Sequence, residues 1–313
     1  MPGLTNFPNG VSSFGIGIFG SQLGGQPLTG QVLFVDTTNG VDAGSGNGPG
    51  SAAYQTLTYA LQQASAGATI FVNAGATITI SSATSLLLST AGVTIIGQGS
   101  GAARPRFNFT TANTATIPVS AANVSVINFR HTANFLSIAK AYTVTAAGFT
   151  LDNCEFADAS GVLNFLAIVN ATGAANTADN MTLTNNVWRG LGTTSVTSFL
   201  VTANDINGLT LINNKVILAR TATAAVLATV TAGVLTNLIA QWNVGISQQT
   251  ADTGGAFINV GGTTSTGVVS NNYLGDLSTT DLFMTTSVGV TFFNNYKTGV
   301  ISASGYLLPA ADS

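Results

Sequence analysis

The chain has 313 residues, of which 45% are hydrophobic and only 6% charged, and eleven acidic and eight basic side chains give a net charge of −3. Abundant Val, Ile, Leu and Phe exclude an intrinsically disordered chain. Gly, Asn, Thr and Ser interrupt every apolar run before it reaches the length of a membrane-spanning helix. The nearly balanced charge argues against nucleic acid or an anionic membrane as a partner.

The first 31 residues differ from the rest because Pro and Gly separate isolated apolar side chains, and the segment has no charged residue. Large apolar side chains are costly to leave in water, so this segment is predicted to be an arm that docks on another protein. Its candidate contact residues are Leu4, Asn6, Phe7, Pro8, Phe14, Ile16 and Phe19. A disordered leader is the alternative. The segment lacks the pattern of a secretory signal, which predicts assembly in a cytoplasm.

Residues 32–67 are predicted to form a first strand, a Gly-rich loop and a short capping helix. Apolar residues from Tyr54 to Ala64 recur at helical spacing, and Gly67 is the predicted C′ residue that ends the helix. A helix here would cover the first coil of the fold that follows it. Calcium binding by the Asp- and Asn-rich loop 36–47 is an alternative to a simple turn, although the loop lacks the spacing of an EF-hand.

Residues 68–313 contain a repeated segment in which two apolar residues flank Thr or Ser and an Asn pair often follows. The segments begin at Val93, Val124, Phe149, Met181, Leu209, Leu238, Gly267 and Val290, and they recur every 23 to 32 residues. Alternation with a period of two predicts strands, and a period of this length predicts a solenoid. A β-sandwich is the alternative, but its strands would recur every 8–12 residues or so, without the longer period.

The predicted fold is therefore all-β, a single-stranded right-handed parallel β-helix of about nine coils. The apolar residues of each segment, such as Leu183 and Leu211, are predicted to point inward and the hydroxyl between them outward. Asn tolerates left-handed backbone, so the Asn pair is predicted to form a corner whose amides bond from coil to coil.

Candidate catalytic groups are few, and no catalytic, cofactor-binding or metal-binding residue is predicted. Asp152, Glu155 and Asp158 form the densest acidic group, but alignment of the coils places Arg130 beside Glu155, which favours a structural ion pair. His131 aligns with Phe156, Trp188 and Val216, which is typical of a packed side chain. Asp276 and Asp281 share a late loop. Cys154 is the only cysteine, so no intrachain disulfide can form.

Two stretches resemble known families. Residues 35–42, the Gly-rich loop, Tyr54 to Leu61 and Gly67 to Ile70 resemble the start of pectate-lyase-like β-helices, which include polysaccharide lyases and phage tailspikes. Leu4 to Ile16 resembles the N-terminal arms of tailed-phage virion proteins, including trimeric head-decoration and fibre proteins.

Together the resemblances imply a bacteriophage virion structural protein on the capsid surface, assembled in the host cytoplasm as a homotrimer. The expected partners are copies of itself and the major capsid protein or another virion protein, with a host surface glycan left open. A tailspike-type polysaccharide depolymerase and a non-catalytic glycan-binding or adhesin module are the alternatives. The small number of acidic and aromatic residues at outward positions argues against the depolymerase.

Overall fold

The computed structural model describes residues 30–192, 196–219, 225–247, 256–275, 282–285 and 288–298, and the backbone of five short strands outside these ranges. Three parallel sheets surround one core, and within each complete coil the chain passes through the first, second and third sheet in turn. The fold is a parallel β-solenoid, as predicted.

The first sheet begins at Val32 and contains the repeated segments. Its ten described strands, all parallel, are Val32–Val35, Thr69–Val72, Thr94–Gly97, Ser125–Ile127, Thr150–Asp152, Thr182–Thr184, Thr210–Ile212, Leu238–Gln241, Gly267–Ser270 and Val290–Phe293.

The second sheet follows the Asn corner of each coil. Its strands are Thr77–Ile80, Arg106–Phe109, Arg130–Ala133, Glu155–Asp158, Val187–Gly190, Lys215–Leu218, Val244–Ser247, Tyr273–Gly275 and Tyr296–Thr298, with Leu308–Pro309 antiparallel to the last. The third sheet contains Ile117–Val119, Tyr142–Val144, Val169–Ala171, Leu200–Thr202, Ala228–Val230, Ala256–Val260 and Leu282–Met284.

Shorter elements complete the chain. Ile206–Asn207 pairs in parallel with Leu235–Thr236, between the third and first sheets. Val11–Ser13 pairs with Ile16–Phe19, and Gln22–Leu23 with Gln26–Pro27, both antiparallel. The helices are Leu57–Gln63 and the 3₁₀ turns Gly50–Ala52 and Gly101–Ala103.

Within the described residues, seven coils have a strand in all three sheets, compared with the prediction of about nine. The difference lies at the ends of the rod. The chain from 81 to 93 supplies no third-sheet strand, and only an isolated bridge joins Leu88 to Val119. After the last first-sheet strand, Val290–Phe293, the described residues supply the second-sheet strand Tyr296–Thr298 and its antiparallel neighbour Leu308–Pro309. The first coil, and the last coil as far as it is described, are therefore partial.

The core is a set of apolar columns. Leu151, Leu183 and Leu211 lie one above another in the first sheet and are fully buried, as predicted. The outward residues Thr182 and Thr210 are half-buried. On the second sheet the inward column contains Phe107, His131, Phe156, Trp188 and Val216.

The helix Leu57–Gln63 packs against the first coil, with Leu57, Ala60 and Leu61 buried, as the capping prediction requires. Its predicted end was wrong. The helix stops at Gln63, and the C-cap residue Ala64 already has extended backbone. Gly67, with φ of +76°, lies instead in the turn that leads into the strand Thr69–Val72, where positive φ favours glycine.

The Asn corner is confirmed, and its two positions differ. The first Asn of each pair takes left-handed backbone, for example Asn185 with φ of +57° and Asn213 with +56°. The second Asn is buried and bonds to the next coil. The side-chain ladder runs through Asn186, Asn214, Asn243, Asn272 and Asn295, each Nδ2 donating to the next Oδ1 at 3.0 Å.

Candidate functional site

The predicted capsid-binding arm falls mostly beyond the part of the chain that is described. Leu4, Asn6, Phe7, Pro8 and Phe14 lie outside the described residues. Ile16 and Phe19 are in the strand Ile16–Phe19, which pairs with Val11–Ser13. The capsid-binding role of these residues remains a prediction.

The outward faces of the three sheets differ in charge. On the third sheet the middle residues of successive strands are uncharged: Pro118, Thr143, Asn170, Val201, Thr229 and Asn259. On the second sheet the outward positions include Arg106, Arg130, Glu155, Arg189 and Lys215. The charged side chains of the described sheets therefore concentrate on one side of the rod.

Glu155 is the centre of an arginine cluster on this second-sheet face. It lies one coil from Arg130, as predicted, and Arg130 Nε is 3.6 Å from its Oε2. Arg104, which the sequence pattern does not place beside Glu155, makes the shorter contact, with Nη2 2.8 Å from the same oxygen. Arg104 also donates to the carbonyl of Asn153. Glu155 is thus held by two guanidinium groups.

The three acids of the predicted cluster do not converge. Asp152, at the end of its first-sheet strand, accepts hydrogen bonds from Thr184 Oγ1 and Asn185 Nδ2 of the next coil. Asp158 is buried and accepts from the backbone amides of Phe165 and Leu191. Three carboxylates that are close in sequence therefore bond in three different directions.

Burial raises the pKa of Asp158 from 3.8 to about 6, against the opposing effect of the Phe165 and Leu191 amides. The carboxylate joins its own coil to the loops that connect the second and third sheets in this coil and the next. A perturbed carboxyl is a common sign of an active site. Here both oxygens are engaged with backbone amides, so the geometry supports a structural role.

His131 is packed inside the rod, as predicted, with its ring stacked on Phe156 at a centroid distance of 4.1 Å. Burial lowers the pKa of His131 to about 3, so the imidazole is neutral near pH 7. Its Nδ1 donates to the carbonyl of Glu155 at 3.3 Å, and Nε2 accepts from the Tyr142 hydroxyl at 2.7 Å. Cys154 is also buried, and burial raises its pKa to about 12.

The carboxylates of the Gly-rich loop hold the loop together. Asp36 accepts from the amides of Thr38 and Asn39, and Asp42 accepts from the amides of Gln55 and Thr56. Among the residues described, no group of three or more His, Cys, Asp or Glu side chains could hold a metal ion.

Every acidic side chain in the described ranges bonds to other groups of the protein. The seven are Asp36, Asp42, Asp152, Glu155, Asp158, Asp179 and Asp205, and each accepts a hydrogen bond from protein groups. Asp276 and Asp281 lie outside these ranges.

A family model described as "Protein of unknown function (DUF1565)" matches residues 38–296. The chain belongs to this family. The DUF1565 match includes all seven complete coils of the solenoid. No curated protein matches the chain. A solved structure of a "Rhamnogalacturonan lyase" is similar over 89% of this chain and 90% of its own, with 12% sequence identity and a TM-score of 0.44.

The expectation of few outward aromatic residues needs correction for the last coils of this DUF1565 protein. Trp242 occupies a corner position that Asn takes in six other coils, and it is 60% exposed. Tyr273 and Tyr296 follow in the outward column of the second sheet, and Tyr296 is 42% exposed. Aligning the coils by their Asn corners would have revealed these positions. No helix of the described chain is long and apolar enough to span a membrane.

Proposed function

We propose that this chain is a non-catalytic structural protein of a bacteriophage virion, a trimeric capsid-decoration or head-fibre protein that residues 1–31 anchor to the capsid. The observation that carries the non-catalytic part is the commitment of all seven described carboxylates to hydrogen bonds within the protein. Glycoside hydrolysis requires two carboxyl groups that flank the substrate, about 5–9.5 Å apart. The densest acidic group, Asp152, Glu155 and Asp158, does not converge, because its side chains bond in three different directions.

A solenoid of this kind is suited to be a spacer without catalytic activity. Its ten first-sheet strands, about 4.8 Å apart, give a rod on the order of 45 Å long. The first strand of the rod begins at Val32, so residues 1–31 precede the rod in sequence, and the helix Leu57–Gln63 covers the rod's first coil. That arrangement supports assigning attachment to residues 1–31 and projection to the coils.

The composition of residues 1–31 indicates which interactions should hold the arm on a capsid. Residues 1–31 include Leu4, Phe7, Phe14, Ile16 and Phe19 and no charged side chain. Each large apolar side chain contributes about 1.5–3 kcal/mol if it becomes fully buried on a partner. Binding to the capsid should therefore be driven by apolar contacts and should resist added salt.

Cosedimentation with capsids lacking the protein tests this proposal. The full chain should bind, and a truncated chain of residues 32–313 should keep its circular dichroism spectrum and lose binding. Replacing both Phe7 and Phe14 by Ser should reproduce most of that loss, whereas the matched double change of Ser12 and Ser13 to Ala should not. A truncated chain that still decorated capsids at full occupancy would contradict the anchor assignment.

Incubation with host polysaccharide tests the non-catalytic assignment separately. We expect no new reducing ends and no unsaturated products when the full chain is mixed with purified host surface polysaccharide. Release of oligosaccharides would contradict the proposal and favour the tailspike-type depolymerase.

A further inference from the structure

The arginines of the second-sheet face are incompletely neutralised. Arg106 and Arg130 are direct neighbours in parallel register, one coil apart. Like charges placed directly opposite one another on a sheet are destabilising. Glu155 lies next to Arg130, and Arg104 makes the closer contact with that carboxylate. Glu155 therefore pairs with two of these guanidinium groups, and Arg106 lies one strand beyond its reach.

Arg106 makes no ion pair with the described residues. In the described chain its guanidinium donates to one side chain, the hydroxyl of Thr77, through Nη2 at 3.3 Å. Its Nε is shielded from solvent and has no hydrogen-bond partner among the described residues. A ligand would therefore meet the terminal Nη1 and Nη2 groups, and two N–H groups of one guanidinium can donate parallel hydrogen bonds to a carboxylate or phosphate.

Polar uncharged side chains surround this arginine pair on the same face. Thr77 and Thr79 precede Arg106 on the neighbouring strand, and Asn108 and Thr132 occupy the next outward position beside Arg106 and Arg130. Hydroxyl and amide groups donate and accept hydrogen bonds and so can bond to sugar hydroxyls. We propose that Arg106 and Arg130, with these neighbours, bind the carboxylate of an acidic sugar unit in a host or capsular glycan.

The rest of the face indicates an extended ligand that runs along the rod. Arg189 and Lys215 are exposed at the outward positions two and three coils beyond Arg130. Trp242 and Tyr296 then offer exposed rings in later coils. Successive cations followed by aromatic rings can hold several units of one acidic glycan chain.

A glycan fits this face better than a single-stranded nucleic acid. Nucleic-acid grooves place aromatic side chains alongside basic ones, so that bases stack while phosphates are neutralised. Here the cations Arg106 to Lys215 lie in earlier coils than the rings Trp242 and Tyr296, although Lys297 adjoins Tyr296 on the same strand. The hydroxyl and amide groups surround the arginine pair, where sugar hydroxyls would lie.

Calorimetric titration of the full chain with an oligoglucuronate tests the proposal. The fully methyl-esterified oligomer is the matched neutral probe, and polyphosphate of equal charge separates a sugar site from a general anion site. We expect binding of the free acid, weakening with salt, no binding of the ester and weaker binding of polyphosphate. Equal binding of acid and ester, tighter binding of polyphosphate, or no binding of the acid would overturn the proposal.

Two variants should move the affinity in opposite directions. Arg106→Gln should raise the Kd of the oligoglucuronate roughly ten- to hundredfold, the loss expected for a charge-assisted hydrogen bond. Glu155→Gln should lower the Kd, because it removes the internal carboxylate that competes for Arg130. Lys140→Gln removes one positive charge from the loop between the second and third sheets and should leave the Kd unchanged.

The variants are compared by circular dichroism, and Arg106→Lys provides a second test if Arg106→Gln fails to fold. The lysine keeps the charge but lacks the fork, so it should bind more weakly than the parent. An unchanged Kd for the folded variant would refute the site. If the substitution instead dissociated the oligomer, the arginine pair would be a subunit contact and the glycan site would be refuted. These assays involve no capsid, so they stand apart from the test of the virion role.

Discussion

Two adjacent asparagines at each corner between the first and second sheets have different physical roles. Asn213 is exposed and supplies left-handed backbone, which few residues other than Gly adopt at low cost. Asn214 is buried and bonds in both directions. Its Nδ2 donates to the carbonyl of Leu183 and to Oδ1 of Asn243. Its Oδ1 accepts from the backbone N–H and from Nδ2 of Asn186.

Asn214→Ala should therefore lower the free energy of unfolding by about 2–5 kcal/mol, because it removes the buried acceptor of Asn186 and the side-chain donor to Leu183, and leaves Asn243 Oδ1 with only the backbone amide of residue 214 from this corner. Asn213→Gly is the matched control, since Gly accepts positive φ, and it should cost less than about 1 kcal/mol. Urea denaturation measures both changes. Equal effects of the two substitutions would contradict the ladder.

Asp158 gives the protein a pH-dependent contribution to stability. Burial raises its pKa in the folded state to about 6, above the ordinary value of 3.8. The folded state therefore retains a proton that the unfolded chain loses as the pH rises. The contribution of this proton to the free energy of unfolding is fully present below about pH 4 and is lost as the pH rises through about 6.

Asp158→Asn removes this titration. We expect the fall in unfolding free energy between about pH 4 and pH 7 to be smaller in the variant, by on the order of 2–3 kcal/mol. Chemical denaturation at a series of pH values measures the difference. Parallel curves for the parent and the variant across that window would show that the Asp158 carboxyl does not hold its proton in the folded state.

At the scale of elements, the Gly-rich loop covers the edge of the first strand. Phe34 donates its amide to Gly46, and its carbonyl accepts from Tyr54. An open strand edge is a template for pairing with another chain, so this contact blocks self-association. A Cβ at Gly46, where φ is +69°, would overlap the ring of Tyr54. Glycine is thus required there for both space and backbone.

Gly46→Ala should displace Tyr54 and expose the edge of Val32–Val35, so we expect a lower melting temperature and concentration-dependent association. Gly48→Ala is the control from the same loop. Its Cβ would meet only the Ala52 Cβ, at 3.6 Å, and should be tolerated. Light scattering during a thermal scan compares the two. Identical behaviour would show that the loop does not protect the edge.

The solenoid could be predicted from the sequence because each coil repeats the same local sequence pattern. Apolar residues flanking Thr182 or Thr210 specify strand and direction, and Asn specifies the corner. The partial terminal coils could not be predicted, because the third-sheet strands have only weak alternation. Arg104 was missed because it bonds to Glu155 from 51 residues away, a contact that depends on the path of the loop before Arg106.

At the scale of the whole molecule, the low charge and the half-buried hydroxyl faces suit packing of one rod against another. We expect the chain to form a closed trimer of roughly 95 kDa, three times the 31.5 kDa chain. Multi-angle light scattering at micromolar concentration measures the mass. A stable monomer would contradict the trimer while leaving the fold unaffected.

We propose that the chain is a scaffold held on a capsid by residues 1–31. Cryo-electron microscopy of particles carrying the protein tests this proposal most directly. We expect rods on the order of 45 Å long projecting from the shell, in groups of three, with density for residues 1–31 on the capsid protein. Rods attached through a side of the solenoid, or found only on the tail or absent from the particle, would contradict it.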